Sequence, residues 1–335
     1  MTPSASIGPI RYHLPESVLT NATLAEAFPD WPAHRIEEKT GIVERRIAGP
    51  AECASDLACK AANRLFAEGS ADPADVDYVL FCTQSPDYLL PTTACLIQHR
   101  LGLKNSAGAM DINLGCSGYV YGLGLAKGLI ETGQATKILF LTADTYSKYL
   151  HPEDKSVRTL FGDAGAATLV LGTEPPPREA LSSIGPFVFG TDGGGANGLI
   201  LRAGGSRGPG NDSTAGEFLH MNGPDVFSFT LRVVPDCVNR LLDKAGCRRD
   251  DVDLFVFHQA NRFMLEQLRK KIGIPPDKFL VSMSHCGNTV SSSIPIALQD
   301  AVAAGRLAGG ERVMLVGFGV GLSWGGTMIR WGGAR

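Results

Sequence analysis

Asp75-Val76-Asp77-Tyr78-Val79-Leu80-Phe81 and Asp251-Val252-Asp253-Leu254-Phe255-Val256-Phe257 are two versions of one segment, 176 positions apart. Each opens on acidic residues and continues as a short apolar run rich in β-formers, the pattern of a buried strand. A polar turn follows each, Thr83-Gln84-Ser85 or His258-Gln259-Ala260-Asn261, and leads into a helical stretch ending near a glycine, Gly102 or Gly273. The parallel continues. Second strands are expected at 109–112 and 279–283, running into Gly115-Cys116-Ser117-Gly118 and His285-Cys286-Gly287-Asn288. Helices are expected at 119–131 and 294–304, third strands at 137–142 and 312–317, and fourth strands at 166–171 and 326–331. Four elements in the same order make a duplicated chain. Alternating strands and helices predict an α/β fold with mostly parallel pairing. The halves are expected to be 1–172 and 173–335, divided where Pro175-Pro176-Pro177 interrupts regular structure. A site between duplicated halves draws residues from both.

The bulk composition excludes several function classes. The 335 residues carry 31 Lys and Arg against 34 Asp and Glu, with no basic run of the kind that marks a nucleic-acid face. No apolar run approaches the roughly 20 residues of a membrane helix, and no signal peptide is read at the N-terminus. Eight cysteines are scattered without a CxxC pair or zinc-ligand spacing. Reduced thiols in a cytoplasmic protein without a metal are therefore expected.

Three residues at strand ends attract chemistry. Cys116 lies where a strand turns into a helix, close to unpaired N–H groups and the positive end of the helix dipole, which should lower its pKa. Its segment alone fits a buried structural thiol equally well. His258 alone fits a satisfied histidine at a strand end, and Asn288 alone fits a turn or cap residue. Their shared placement favours function, because strand C-terminal ends are where open α/β sheets gather ligands.

These segments resemble the ketoacyl-ACP synthase III family of the thiolase superfamily. The matching stretches are Asp111-Ile112-Asn113-Leu114-Gly115-Cys116-Ser117-Gly118, His258-Gln259-Ala260-Asn261, His285-Cys286-Gly287-Asn288-Thr289 and the run from Lys39 to Arg46. Phe161-Gly162-Asp163-Ala164-Gly165-Ala166-Ala167 and Gly317-Phe318-Gly319-Val320-Gly321-Leu322-Ser323-Trp324-Gly325 match as well. The resemblance implies a thiolase-like fold, two duplicated βαβ-rich halves in an α-β-α-β-α layering. It implies that Cys116 takes an acyl primer and that His258 and Asn288 stabilise the enolate of a decarboxylating malonyl thioester. The backbone N–H groups of Cys116 and Val320 would form the oxyanion hole, Val320 standing where the family usually has Gly. It further implies an acyl carrier protein as partner, acyl-CoA or acyl-ACP thioesters as substrates, no tightly bound cofactor, and a homodimer.

The carrier-binding shell departs from the family. Arg35 and Lys39 stand where a Trp and an Arg are usual, and Trp31 lies four residues early. Asp154-Lys155 replaces an Asp-Arg, with Arg158 three residues on. Arg262-Phe263 reverses the usual apolar-then-Arg order, swinging that Arg by about 100° around the helix. Phe318 is expected beside the carrier arm. Leu90 replaces a frequent Phe in the segment implied to reach the partner's acyl pocket, which makes room for a longer or branched primer. These changes fit either neutral surface change or a different carrier or primer. Arg35, Lys39, Arg45, Arg46 and Arg262 would attract an acidic carrier helix if they share a face. The Gly-rich stretch 182–217 is expected to form mobile loops over the entrance.

Other readings compete. One is a specialised synthase of secondary-metabolite or surface-polysaccharide biosynthesis with a different acceptor. A degradative thiolase would need a second reactive thiol, for which Cys286 is the candidate. A non-catalytic partner subunit would usually have lost the nucleophile, and a papain-like protease would show no duplication.

Overall fold

The computed structural model describes residues 3–173, 184–207 and 217–332. Its strands are β1 Ser4–His13, β2 Ser17–Thr20, β3 Glu44–Ile47, β4 Tyr78–Cys82, β5 Gly108–Ile112, β6 Lys137–Asp144 and β7 Ala164–Thr173, then β8 Ile184–Thr191, β9 Leu199–Ile200, β10 His220–Met221, β11 Leu254–Phe257, β12 Arg312–Gly319 and β13 Ser323–Arg330. The α-helices are α1 Asn21–Ala27, α2 Ala33–Thr40, α3 Ala54–Ala67, α4 Thr93–Arg100, α5 Gly118–Glu131, α6 Lys155–Arg158, α7 Gly223–Ala245, α8 Arg262–Ile272 and α9 Ser293–Ala303.

Two sheets carry the duplication. The first has the order β1-β7-β6-β4-β5, the second β8-β13-β12-β11. Read along the sheets, β1, β7, β6 and β4 correspond to β8, β13, β12 and β11, and β5 has no counterpart in the second sheet. The repeated acidic residue does the same work in both. Asp77 N–H donates to Lys137 O and its carboxylate accepts from Lys137 N–H at 3.0 Å. Asp253 N–H donates to Arg312 O and its carboxylate accepts from Arg312 N–H at 2.8 Å. Each Asp thus fixes the start of the neighbouring strand and sets its register.

Two expectations change. Pairing is mixed rather than mostly parallel: β4 runs parallel to β5 and β6, but β7 is antiparallel to β6 and to β1. The second sheet repeats this, with β11 parallel to β12 and β13 antiparallel to both β12 and β8. Gly319 pairs with Ser323 across a tight turn, and so short a connection admits only an antiparallel neighbour. The strand expected at 279–283 is reduced to a single parallel bridge from Phe279 to Phe255. Gln259 explains the loss. Its side chain accepts from Ser282 N–H at 2.7 Å and donates to Leu280 O at 3.4 Å, so it satisfies backbone groups that a ladder would have used.

The elements stack as five layers. α3 and α4 cover the outer face of the first sheet, and α7 and α8 that of the second. α5 and α9 lie between the sheets, in one apolar cluster with Leu80, Phe140, Val256 and Leu315. Small residues let α5 approach this closely. A Cβ at Gly122 would sit 2.1 Å from the Phe140 ring, and one at Gly118 would sit 2.2 Å from Cys82 Sγ. Glycine costs up to ~1 kcal/mol in a helix, but packing decides here.

Part of the stretch expected as mobile loops is ordered. β8 pairs with β13 along most of its length, a 3-10 turn spans Gly193–Gly198, and β9 pairs with β10. The remainder of that stretch at 182–183 and 208–216, and the triple proline, lie outside the described residues. No helix among the described residues is long and apolar enough to cross a membrane.

Candidate active site

Cys116, His258 and Asn288 line one cavity of about 170 Å³, with Leu160, Phe161, Met221, Phe227, Phe263, Phe318 and Gly319 among its walls. Cys116 is 6% exposed and sits immediately before α5. Strand β12 crosses directly over it. A Cβ at Gly319 would lie 2.9 Å from Cys116 Sγ, and one at Gly317 2.7 Å from Cys116 O. The backbone N–H groups of Val320 and Cys116 lie where they favour the ionised form of the sulfur.

The expected lowering of the Cys116 pKa is reversed. Burial pushes the thiol up to about 12, Asp144 adds to the rise, and the two backbone N–H groups offset only part of it. A helix N-terminus contributes about 0.3–1 kcal/mol when exposed and up to ~2 kcal/mol in favourable partly buried geometry. Removing a thiolate from water costs more.

His258 closes the end of β11. Burial alone pulls its pKa down to about 3, so the ring is neutral at physiological pH. Its Nδ1 lies 2.7 Å from Ser293 Oγ, which already accepts the Gln259 N–H at 3.3 Å. A hydroxyl has one proton to give. Where Ser293 spends that proton on Nδ1, the ring proton stays on Nε2, the tautomer that lets His258 donate into the cavity. The Phe318 ring stands edge-on to the imidazole at 5.6 Å. Asn288 is held as strictly. Its backbone N–H donates to Leu160 O at 2.8 Å, and its Oδ1 accepts from Val290 N–H at 3.0 Å. The oxygen being occupied, the Nδ2–H₂ group is left to face the cavity.

The carrier-shell residues separate. Arg35 and Lys39 follow Trp31 at successive helical turns, and with Lys155 they place three cations 5.7–5.8 Å from the indole centroid. Lys155 also pairs with Asp30. The tryptophan that stood out of register in the sequence is thus beside the basic residues in space. Arg262 packs on Gly41 at the end of α2, and Phe263 lines the cavity, stacked 5.7 Å from Phe227. The Arg-Phe reversal therefore puts an aromatic ring on the cavity wall and the cation beside α2. Arg158 donates to Pro152 O and lines a separate groove with Lys148 and Leu19. Leu90 is 86% exposed and outside the cavity.

Arg45 cannot serve a surface patch. It is fully buried and donates to Thr159 O and Asn21 Oδ1. Arg46 is half-buried and pairs with Glu44. Cys286, the candidate second thiol, packs instead with Ala164 and Ile296, and burial raises its pKa. Sequence reasoning missed Ser293, whose only signal was a serine run at a helix start.

A raised thiol pKa has a kinetic signature. Cys116 alkylation by iodoacetamide should increase about tenfold per pH unit from 7 to 9 with no plateau, because the thiolate fraction is still far from saturation. Peptide mapping across that range checks this, and a plateau below pH 8 would show that the helix terminus prevails after all.

Comparisons with known proteins identify the family. Residues 110–193 match the family profile of 3-oxoacyl-[acyl-carrier-protein] synthase III, and 242–331 match that of its C-terminal region. A β-ketoacyl-[acyl-carrier-protein] synthase III of Caldanaerobacter subterraneus is 37% identical over 322 residues, 95% of each chain. A solved 3-oxoacyl-(acyl-carrier-protein) synthase III superimposes with a TM-score of 0.93 at 57% identity, covering 98% of this chain and 100% of that one. A 3-oxoacyl-(acyl-carrier protein) synthase from Burkholderia xenovorans gives 0.91 at 36% identity, covering 99% and 95%. With its thiolase-like layers and its near full-length likeness to these relatives, the chain belongs to the 3-oxoacyl-[acyl-carrier-protein] synthase III family of acyl-transferring condensing enzymes.

Proposed function

We propose that this protein loads an acyl primer on Cys116 and condenses it with a malonyl thioester, carried by acyl carrier protein, to give a β-ketoacyl product. One observation carries the reading: a thiol, two backbone N–H groups and two oriented neutral donors open on one apolar cavity. The duplicated halves, taken as 1–172 and 173–335, contribute the thiol and the neutral donors respectively.

The Cys116 sulfur attacks the primer thioester, and the carbonyl oxygen gathers charge against the N–H groups of Cys116 and Val320. The carrier sulfur leaves, taking up the thiol proton. The malonyl thioester then enters. Among the described residues no Lys or Arg lines the cavity, so the malonyl carboxylate meets no counter-charge from them, and its conversion to neutral CO₂ is favoured. The electron pair left behind spreads onto the thioester oxygen, where His258 Nε2–H and Asn288 Nδ2–H₂ receive it. The enolate carbon attacks acyl-Cys116, and collapse of that adduct releases the Cys116 sulfur and the β-ketoacyl thioester. Neutral donors suit this step, since neither changes protonation state.

Carrier recognition rests on the basic rim. Arg35, Lys39 and Lys155 around Trp31, with Arg262 beside them at the end of α2, lie near the Phe263 side of the cavity. This patch suits an acidic carrier-protein surface, and the three cations already occupy the indole that an adenine would stack on. Tyr88, Leu89 and Leu90 are 61%, 78% and 86% exposed in the single chain, an apolar patch that a second copy would cover. A homodimer working in the cytoplasm completes the reading.

His258→Ala and Asn288→Ala should each still form acyl-Cys116, seen by intact mass, but lose malonyl decarboxylation by about a hundredfold or more. Normal decarboxylation in both variants would refute the donor roles. One acyl chain offered on both carriers should acylate Cys116 faster from acyl carrier protein, and that advantage should shrink as salt shortens the Debye length below about 8 Å. A preference for the CoA thioester, or one insensitive to salt, would contradict the role of the basic rim. Light scattering should give twice the chain mass, and an active monomer would leave the apolar patch unexplained.

A further inference from the structure

Asp144 is a fully buried carboxylate for which the condensation chemistry has no use. It ends β6, in the first half, and among the described residues no cation pairs with it. Its Oδ1 accepts Gln84 N–H at 2.8 Å, and its Oδ2 accepts both Ser291 N–H at 3.2 Å and Ser291 Oγ–H at 2.5 Å. Ser291 belongs to the second half, in the 3-10 turn Val290–Ser292 between Asn288 and α9. Ser292 reinforces the contact, its Oγ donating to Thr142 O at 3.0 Å.

That turn holds an unusual residue. Val290 has φ of 52°, and it is the one non-glycine residue with positive φ among those described. A β-branched side chain is strained there and persists only where the surroundings impose it. The Val290 N–H is also the group that occupies Asn288 Oδ1. A continuous chain of contacts follows. Asp144 fixes both polar groups of Ser291, Ser291 fixes the strained Val290, Val290 N–H fixes the amide of Asn288, and the amide presents Nδ2–H₂ to the cavity.

We infer that Asp144 and Ser291 are positioning residues: across the junction of the two halves they hold Val290 in its strained conformation and thereby orient the Asn288 amide for the decarboxylating substrate. The inference rests on the donor role of Asn288. Burial raises Asp144 to about 7, so holding a carboxylate at this position costs stability, as expected of a group retained for function. Ser293 holds His258 independently, so losing Ser291 should disturb one donor and leave the other.

The test compares acylation with condensation in the full-length enzyme. Ser291→Ala should form acyl-Cys116 within about twofold of the native rate, while kcat for condensation falls roughly ten- to a hundredfold and KM for the malonyl thioester moves little. Ser291→Thr, which keeps the hydroxyl, should restore most of it. Val290→Gly placed in the Ser291→Ala protein should recover at least about threefold, because glycine takes positive φ without strain. If Ser291→Ala does not fold, Asp144→Asn reads the same chain, since one amide oxygen cannot accept from both Gln84 and Ser291, and the same loss is expected. Native condensation in these variants, or no recovery from Val290→Gly, overturns the inference. An Asn288→Ala protein that decarboxylates normally would instead refute the donor role itself.

Discussion

The close approach of α5 to both sheets is the constraint on which the rest depends. It is possible because Gly118 and Gly122 leave space for Cys82 and Phe140. Once α5 is wedged there, its N-terminus is fixed at the junction of the halves, and Cys116 faces the strand ends of the second sheet. The same closeness demands Gly317 and Gly319 in β12, because a side chain at either would collide with Cys116 or Ser117. The backbone at Val320 then reaches the sulfur. The pair of N–H groups proposed as the oxyanion hole is thus a product of interlayer packing, with glycines on both sides of the contact.

The same packing buries the site, and burial sets its electrostatics. Burial disfavours every charged form, raising Cys116 and lowering His258. A thiolate–imidazolium pair at rest would be costly in such a cavity. The arrangement instead uses neutral donors whose orientation is fixed by further hydrogen bonds, from Ser293 to His258 and from Val290 to Asn288. Charge forms only during reaction, where the donors already point.

The duplication and the three residues that meet in the cavity were legible because their signals are local: apolar runs behind an aspartate, and a polar residue where each run stops. What escaped depends on contacts distant in sequence. The Phe279 strand is displaced by the Gln259 side chain, a competition no periodicity reveals. Trp31 looked out of register, yet helical spacing and Lys155, 124 residues away, bring it among the cations. Arg45 read as a surface charge in an Arg pair, but Gly162 and Gly287 close over its side chain. The helix-terminus argument at Cys116 named a real effect and missed the larger one, because burial cannot be weighed from one segment.

Equivalent positions in the two halves show how one duplicated frame came to hold a single asymmetric site. Aligned on the repeated aspartates, Cys82 corresponds to His258, and each meets the first residue of a central helix. In the first half the contact is a thiol against Gly118, and it serves close packing. In the second it is an imidazole on Ser293, and it orients the ring. The ends of β6 and β12 correspond likewise, Asp144 to Gly319. At one, a carboxylate reaches across to grip the turn beside Asn288; at the other, the absence of a side chain lets backbone pass over Cys116. Each strand end acts on the opposite half's functional residue. A symmetric pair would have duplicated one of these devices and lost the other, so the division of chemistry between nucleophile and donors follows from divergence at these paired positions.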